Sequence, residues 1–163
     1  MIKPIPTLDG YEVAISSPSA FTGETENTRG DSAGTDAAHT LFQVNGDVIA
    51  RVFGVCTVDL AGSGTLTLGV TGSTACFIAS TTAADLEAGD IWVDASPAEV
   101  SAVALTSIPA VMVITNGKDI LETTGTADIT AGQIYYVCMW RPLTPGSSVV
   151  ALPIQEGADI RGY

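Results

Sequence analysis

The chain has 163 residues and a net charge of -12 at pH 7, because 6 Lys and Arg stand against 18 Asp and Glu. A chain of this length buries roughly 70% of the surface that its unfolded form exposes, which predicts one domain with a sizeable core. The 46% hydrophobic content excludes general disorder. The negative charge excludes a nucleic-acid binder, which needs cations against the phosphate backbone. No apolar run approaches the roughly 18 residues of a membrane span, so no membrane segment is predicted.

The first 38 residues differ from the rest of the chain. Several are prolines, among them Pro4 and Pro6, and residues 23–38 carry no large apolar side chain. Little burial is available to offset the entropy of ordering such a segment. We therefore predict an extended N-terminal arm over residues 1–38, a loop or strap that orders on a partner, and an antiparallel β domain over residues 39–163. Deleting the arm is expected to leave a folded domain, and the early prolines do not indicate a signal peptide.

From residue 39 the pattern changes to short apolar stretches separated by turn residues about every ten positions. This spacing is typical of an all-β antiparallel sandwich or jelly roll. Residues 47–58 are predicted as one strand, and because its apolar side chains lie on both faces, it is predicted to be covered on both sides. Residues 133–139 predict a second long strand with Ile134, Tyr136 and Cys138 on one face. Shorter strands are predicted at residues 41–44, 65–70, 75–79, 91–93, 111–115, 118–123 and 148–152, with a single helical turn near residues 83–87.

Two Asn-Gly dipeptides, Asn45-Gly46 and Asn116-Gly117, each fall between predicted strands. This dipeptide supplies the two positive φ angles of a type I′ turn. The sequence therefore predicts two tight β-hairpins, and with them a meander or jelly-roll sheet.

Side chains suited to catalysis are sparse. His39 is the only histidine, and a structural position at the start of the first domain strand is favoured over the base of a Ser-His-Asp site. Cys56, Cys76 and Cys138 each lie in an apolar run with no second ligand at metal-binding spacing. This indicates three buried free thiols in a reducing compartment. The sequence predicts no catalytic, cofactor-binding or metal-binding residue, and we do not expect an enzyme.

The carboxylates fall mainly in predicted turns, where solvated positions are favoured over paired acid and base work. Carboxylate oxygens could hold a surface Ca²⁺ ion at Asp85, Glu87 and Asp90, or at Asp31 and Asp36. Neither group follows the twelve-residue calcium loop, so no metal site is predicted. The tripeptide Arg29-Gly30-Asp31 spells an integrin-type motif, but a match of three residues often arises by chance.

Two cations, Arg51 and Arg141, lie within predicted apolar strands. A cation in such a setting needs a partner or an exit to solvent. A position at the rim of the sheet is the simpler interpretation, and an ion pair across a subunit interface is the alternative.

Three segments resemble parts of small proteins encoded in the virion-structure modules of tailed bacteriophages. They are His39-Thr-Leu-Phe-Gln-Val-Asn-Gly46, Ile91-Trp-Val-Asp94, and residues 116–143, which include Thr126-Ala-Asp-Ile-Thr-Ala-Gly132 and Ile134-Tyr-Tyr-Val-Cys-Met-Trp-Arg-Pro-Leu143. The resemblance covers about residues 39–152 and consists of turn and core residues, so it points to a family more than to a site.

The resemblance implies a virion structural protein, above all a head decoration or cement protein on the capsid exterior, assembled in the host cytoplasm. Its implied partners are the major capsid protein and further copies of itself, with a homotrimer preferred. A tail or host-attachment component is the first alternative, because β-sandwich modules also serve there. A carbohydrate-binding or hydrolytic domain is the second alternative, with Trp92 or Trp140 as a sugar platform.

Overall fold

The computed structural model describes residues 10–33, 37–97, 102–104, 107–108 and 111–152. Within them the chain is all-β, and a 3-10 turn at Ala83–Asp85 stands where a helical turn is predicted. The ten strands are β1 Glu12–Ser16, β2 Ala38–Asn45, β3 Val48–Gly62, β4 Thr65–Val70, β5 Ser73–Thr82, β6 Ile91–Trp92, β7 Met112–Ile114, β8 Ile120–Gly125, β9 Ile129–Pro142 and β10 Ser148–Ala151.

The strands form two antiparallel sheets of five strands each. In sheet A the order is β1-β9-β3-β6, and β7 also pairs with β3; in sheet B the order is β10-β2-β8-β4-β5. One cluster of buried side chains, drawn from both sheets, fills the space between them. The prediction of an all-β antiparallel sandwich is therefore confirmed, whereas a jelly-roll connectivity is not.

The two longest strands, β3 and β9, form the centre of sheet A. They pair in an antiparallel register that sets Ala50 opposite Trp140 and Gly54 opposite Tyr136. Along β3 fully buried residues alternate with half-buried ones from Val48 to Cys56. The prediction of a strand covered on both faces is confirmed, because side chains of the second face are half-buried instead of exposed.

Neither Asn-Gly dipeptide closes a β-hairpin. Asn45-Gly46 links β2 in sheet B to β3 in sheet A, and Asn116-Gly117 links β7 in sheet A to β8 in sheet B. Asn116 and Gly117 adopt positive φ angles of 58° and 60°, but at the first dipeptide only Gly46 does so. The dipeptide predicts a reversal of the chain, whereas pairing of the flanking strands depends on which way their apolar side chains face. The hairpin and meander predictions are wrong, and the successive strands that do pair are β4 and β5.

The two turns instead lie side by side and hold one end of the sandwich together. The Gly117 N–H donates to the Gly46 carbonyl at 3.1 Å. The Asn116 N–H donates to Asp47 Oδ1 at 3.0 Å. These two bonds join the turns directly, so this end of the sandwich depends on both turns.

Gly117 is a position where glycine is required. Its φ is 60°, and a Cβ atom there would lie 2.9 Å from the Val44 carbonyl oxygen. We expect Gly117→Val to lower the free energy of unfolding by about 3 kcal/mol, because backbone strain and a clash add together. Gly72→Val is the matched control, since Gly72 has a φ of 89° but no atom within 4 Å of a Cβ. Urea denaturation of both variants measures the difference, and equal losses would contradict the role of the Val44 contact.

The extended arm predicted over residues 1–38 is not confirmed. Residues 1–9 and 34–36 lie outside the described residues, but residues 10–33 are built into the domain. Strand β1 pairs with β9 at the edge of sheet A, and the side chains of Phe21 and Arg29 are buried. Composition alone does not show that residues 10–33 pack against the domain, because a single buried cation, Arg29, anchors a segment that is otherwise poor in apolar residues.

Candidate functional site

A buried cluster of Arg29, Glu122 and Tyr136 joins three parts of the chain. Arg29 lies in the loop after β1, Glu122 lies in β8 of sheet B, and Tyr136 lies in β9 of sheet A. Arg29 Nε donates to Glu122 Oε1, and Arg29 Nη2 donates to Oε2 at 2.7 Å. The Tyr136 hydroxyl donates to the same Oε2. All three side chains are 0% exposed. The two-pronged ion pair therefore joins the loop to sheet B inside the core, and the Tyr136 hydroxyl links the pair to sheet A.

Aromatic rings and a carbonyl group enclose this cluster. The Phe21 ring centroid lies 3.7 Å from the guanidinium carbon of Arg29, in a cation–π contact. Arg29 Nη1 donates to the backbone carbonyl of Ser19. On the other side Trp92 meets Tyr136 edge to face, with ring centroids 6.3 Å apart. The buried charge of Arg29 is therefore balanced by protein groups on several sides.

Burial and the neighbouring charges shift the pKa values of Arg29 and Tyr136. Burial lowers the pKa of Arg29, but the charge and hydrogen bonds of Glu122, with a contribution from Tyr136, leave that pKa raised. The pKa of Tyr136 lies well above its usual 10.0, first because of burial and then because of the negative charge of Glu122. Because both pKa values are raised, Arg29 stays charged and Tyr136 stays protonated at physiological pH.

Backbone hydrogen bonds hold the loop on both sides of Arg29. The Gly23 N–H donates to the Ile129 carbonyl at 3.0 Å, and the Ile129 N–H donates to the Gly30 carbonyl at 2.8 Å. A Cβ atom at Gly30, whose φ is 101°, would lie 2.2 Å from the Ile129 oxygen. Glycine is required there because only its backbone can approach β9 so closely.

The Arg29-Gly30-Asp31 tripeptide is not displayed for adhesion. Arg29 is 0% exposed and Asp31 is 6% exposed. The Asp31 carboxylate accepts the N–H of Asn27 at 3.0 Å and the N–H of Ala33 at 2.8 Å. Asp31 therefore stabilises the turn that presents Arg29 to the core.

Residues 30–34 also spell Gly-x-Ser-x-Gly, the pattern of a hydrolase nucleophile elbow. That elbow needs a strand before the serine and a helix after it, whereas residues 23–33 run as turns and bends. The Ser32 hydroxyl and the Ser32 N–H both donate to Asp128 Oδ1, at 2.6 and 2.8 Å. These bonds lower the pKa of Asp128. Ser32 thus ties the loop to the turn before β9, and its hydroxyl contacts a carboxylate where a nucleophile would contact a histidine.

His39 lies near the start of β2, as predicted. It is half-buried and stands opposite Glu122 in the register of β2 and β8. Sequence reasoning placed this histidine correctly but did not identify the buried carboxylate across from it.

The three cysteines are free thiols, but they are not equally enclosed. Cys56 and Cys138 are buried, whereas Cys76 in β5 is half-buried, so the prediction of three buried thiols is wrong for Cys76. Burial raises the pKa of Cys56 to about 11 and raises the pKa of Cys138 more strongly.

We expect iodoacetamide at pH 8 to alkylate Cys76 of the native protein and to leave Cys56 and Cys138 unmodified. The thiolate is the reactive form, and both burial and the raised pKa values suppress it at the two core positions. Peptide mass spectrometry measures the modified sites, and alkylation in urea is the control that all three thiols can react. Modification of Cys138 before Cys76 would contradict the burial described here.

The acidic residues considered as calcium ligands stabilise turns. The Asp90 carboxylate accepts the Glu87 N–H at 2.9 Å. The Asp31 carboxylate likewise accepts backbone N–H groups of its own turn. Asp36 lies outside the described residues. Among the residues that the structure describes, no group of three or more His, Cys, Asp or Glu side chains is arranged to hold a metal ion.

Neither tryptophan can serve as a sugar platform. Trp92 is 0% exposed and Trp140 is 7% exposed, so the prediction that names these two rings is wrong. A half-open cleft of about 190 Å³ does carry a partly exposed aromatic ring, that of Tyr135. It is lined by Ser17, Pro18, Thr57, Gln133, Ile134 and Tyr135.

The side of sheet A that points away from the core is also apolar. Pairing in the sheet sets its outward side chains in rows, because directly opposite residues share a face. We call this surface the outer face of sheet A. It consists of Val13, Ile15, Ile49, Arg51, Phe53, Val55, Ile91, Val113, Tyr135, Val137, Met139 and Arg141.

Loop residues cover the middle of the outer face and leave its edges open. A second buried cluster there includes Val93, Ile108 and Met139, with Tyr11 packed against it. The guanidinium carbons of Arg51 and Arg141 lie 5.6 and 4.8 Å from the centroid of the Tyr11 ring. Arg141 is exposed and Arg51 is half-buried. The rim interpretation therefore fits Arg141, and an ion pair across a subunit interface stays a prediction.

In comparisons with family models, curated proteins and solved structures, nothing matches this chain. Within the described ranges no helix has the length and hydropathy to cross a membrane.

Proposed function

We propose that this chain is a structural protein of a bacteriophage virion, a head decoration or cement protein that binds the major capsid protein from outside and stabilises the lattice. The observation that carries this proposal is the sealed Arg29–Glu122 ion pair. With the Tyr136 hydroxyl, this ion pair joins the N-terminal loop and both sheets inside the core, whereas an enzyme would turn such charged groups toward a substrate.

The segments that resemble phage virion proteins support the same proposal. They correspond to β2, β6, β8 and β9, which form much of the framework of the sandwich. A rigid framework suits a protein that works by shape, because a stiff body bound across neighbouring subunits transmits force between them. Self-association as a trimer belongs to this proposal, as does a location on the capsid exterior.

The direct test is the amount and place of the protein in purified virions. We expect mass spectrometry to find it in high copy number, and immunogold labelling to place it on the head. Purified protein should also bind saturably to heads that lack it. A low copy number with label at the tail tip would support the tail or host-attachment alternative, and absence from virions would overturn the proposal.

The cleft beside Tyr135 favours a carbohydrate-binding module as the second candidate. Its ring, the Thr57 hydroxyl and the Gln133 amide are groups that hold a neutral polar ligand. A glycan array with the wild-type chain and Tyr135→Ala tests this candidate. Glycans bound by the wild type and lost in the variant would support it, and an array without signal would remove it.

A further inference from the structure

We propose that Asn45 is the residue at which the folded chain deamidates, whereas Asn116, the other asparagine that precedes a glycine, is protected by the fold. The inference goes beyond the proposed function and does not depend on it. It assigns a covalent modification site to the end of the sandwich where the two Asn-Gly turns lie side by side.

The reaction needs only the dipeptide and water. The Gly46 backbone nitrogen loses its proton and attacks Cγ of the Asn45 side chain. A new C–N bond closes a succinimide ring, the bond between Cγ and Nδ2 breaks, and ammonia leaves with that proton. Water then opens the ring at either carbonyl and leaves aspartate or isoaspartate at position 45. Glycine favours the attack because no side chain stands beside its nitrogen.

Hydrogen bonds hold the second dipeptide away from this reaction. The Gly117 N–H, whose nitrogen would have to attack, donates to the Gly46 carbonyl at 3.1 Å. The Asn116 N–H donates to Asp47 Oδ1 at 3.0 Å, which fixes the backbone before the attacking nitrogen. A bonded amide loses its proton slowly and cannot turn onto a neighbouring carbon until the bond breaks. Because Asn116 is exposed, its protection comes from these bonds and not from burial.

The first dipeptide lacks this restraint at the attacking atom. Among the residues that the structure describes, none accepts a hydrogen bond from the Gly46 N–H. Asn45 and Gly46 are both exposed, so water reaches the nitrogen and the side-chain amide. Asn45 Nδ2 donates to the Ser148 hydroxyl at 3.3 Å, a long bond that leaves Cγ open to attack. The same pair of turns therefore protects one asparagine and exposes the other.

Deamidation at Asn45 alters the contact that joins the two turns. It places a carboxylate two residues from Asp47. Isoaspartate also lengthens the backbone by one carbon atom immediately before Gly46, whose carbonyl accepts the Gly117 N–H. Chains that carry isoaspartate at position 45 therefore lose the bond that protects Asn116, and we expect Asn116 to react second.

The test incubates the full chain at pH 8 and follows both sites by peptide mass spectrometry, which separates aspartate from isoaspartate. We expect the initial rate of deamidation at Asn45 to exceed that at Asn116 by at least about fivefold. In urea the two rates should agree within about twofold, because unfolding removes the hydrogen bonds and leaves the same dipeptide at both sites.

Asn45→Gln provides the matched control. Its side chain keeps the amide, but the longer chain would have to close a six-membered ring, which forms more slowly. We expect this variant to gain negative charge at least about fivefold more slowly than the wild type, as anion-exchange chromatography measures, and Asn116 to stay unmodified.

Hydrogen exchange, followed by NMR, tests the cause directly, because exchange also requires the amide to lose its proton. In the native chain the Gly46 N–H should exchange at least about tenfold faster than the Gly117 N–H. Equal rates of deamidation at the two sites of the folded chain, faster reaction at Asn116, or a Gly46 N–H as strongly protected as that of Gly117 would each refute the proposal.

Discussion

Replacing Arg29 with methionine is expected to lower the free energy of unfolding by about 3–5 kcal/mol, the usual loss when one partner of a buried ion pair is removed. Glu122 would keep only the Tyr136 hydroxyl as a donor, with its carboxylate 0% exposed. Methionine preserves much of the apolar stem, so the missing charge accounts for most of the loss. Urea denaturation at pH 7 measures the effect.

Two further variants show whether the loss comes from the unpaired carboxylate. Arg29→Lys keeps the positive charge but cannot form both bonds to Glu122, and we expect an intermediate loss. Adding Glu122→Leu to Arg29→Met should recover at least half of the lost stability, because the double variant buries no unpaired charge. A double variant less stable than Arg29→Met alone would show that packing, and not charge, determines the effect.

The faces of the long strands could be predicted from the sequence, whereas the connections between strands could not. Residues 47–58 carry apolar side chains on both faces and predicted a strand covered on both sides, because a strand between a core and a covered surface presents no face to water. Asn116-Gly117 identified a turn with two positive φ angles. A tight turn does not specify whether the next strand pairs with the last one or crosses to the opposite sheet, and both Asn-Gly turns cross.

The buried cluster left only weak signals in the sequence. Glu122 lies two residues from Ile120 and two from Thr124, so period-two alternation places it on the inward side of β8. An inward carboxylate implies a buried cation, and Arg29 stands among acidic and small residues between positions 23 and 33. Pairing them needs a contact across 93 positions, which no local pattern supplies.

Removing residues 1–33 is expected to unfold the domain, although the composition of this segment suggests that it is dispensable. The truncation removes β1 from the edge of β9, the Phe21 ring from the core and Arg29 from Glu122. The ion pair alone is worth about 3–5 kcal/mol when it is broken from one side. Because total stability of a domain is about 5–15 kcal/mol, we expect the truncated chain to lose cooperative unfolding in circular dichroism and calorimetry.

Two matched chains identify the cause of that loss. Deleting only residues 1–9 keeps β1, Phe21 and Arg29, so this shorter truncation should melt cooperatively. Adding Glu122→Leu to the longer truncation removes the unpaired carboxylate and should restore part of the structure, because the missing strand and ring are then the remaining defects. If the chain without residues 1–33 melts cooperatively within about 5 °C of the full chain, the result would instead support the prediction of a separate N-terminal arm. The N-terminal segment would then be free to order on a partner, whereas the buried ion pair places it in its own domain.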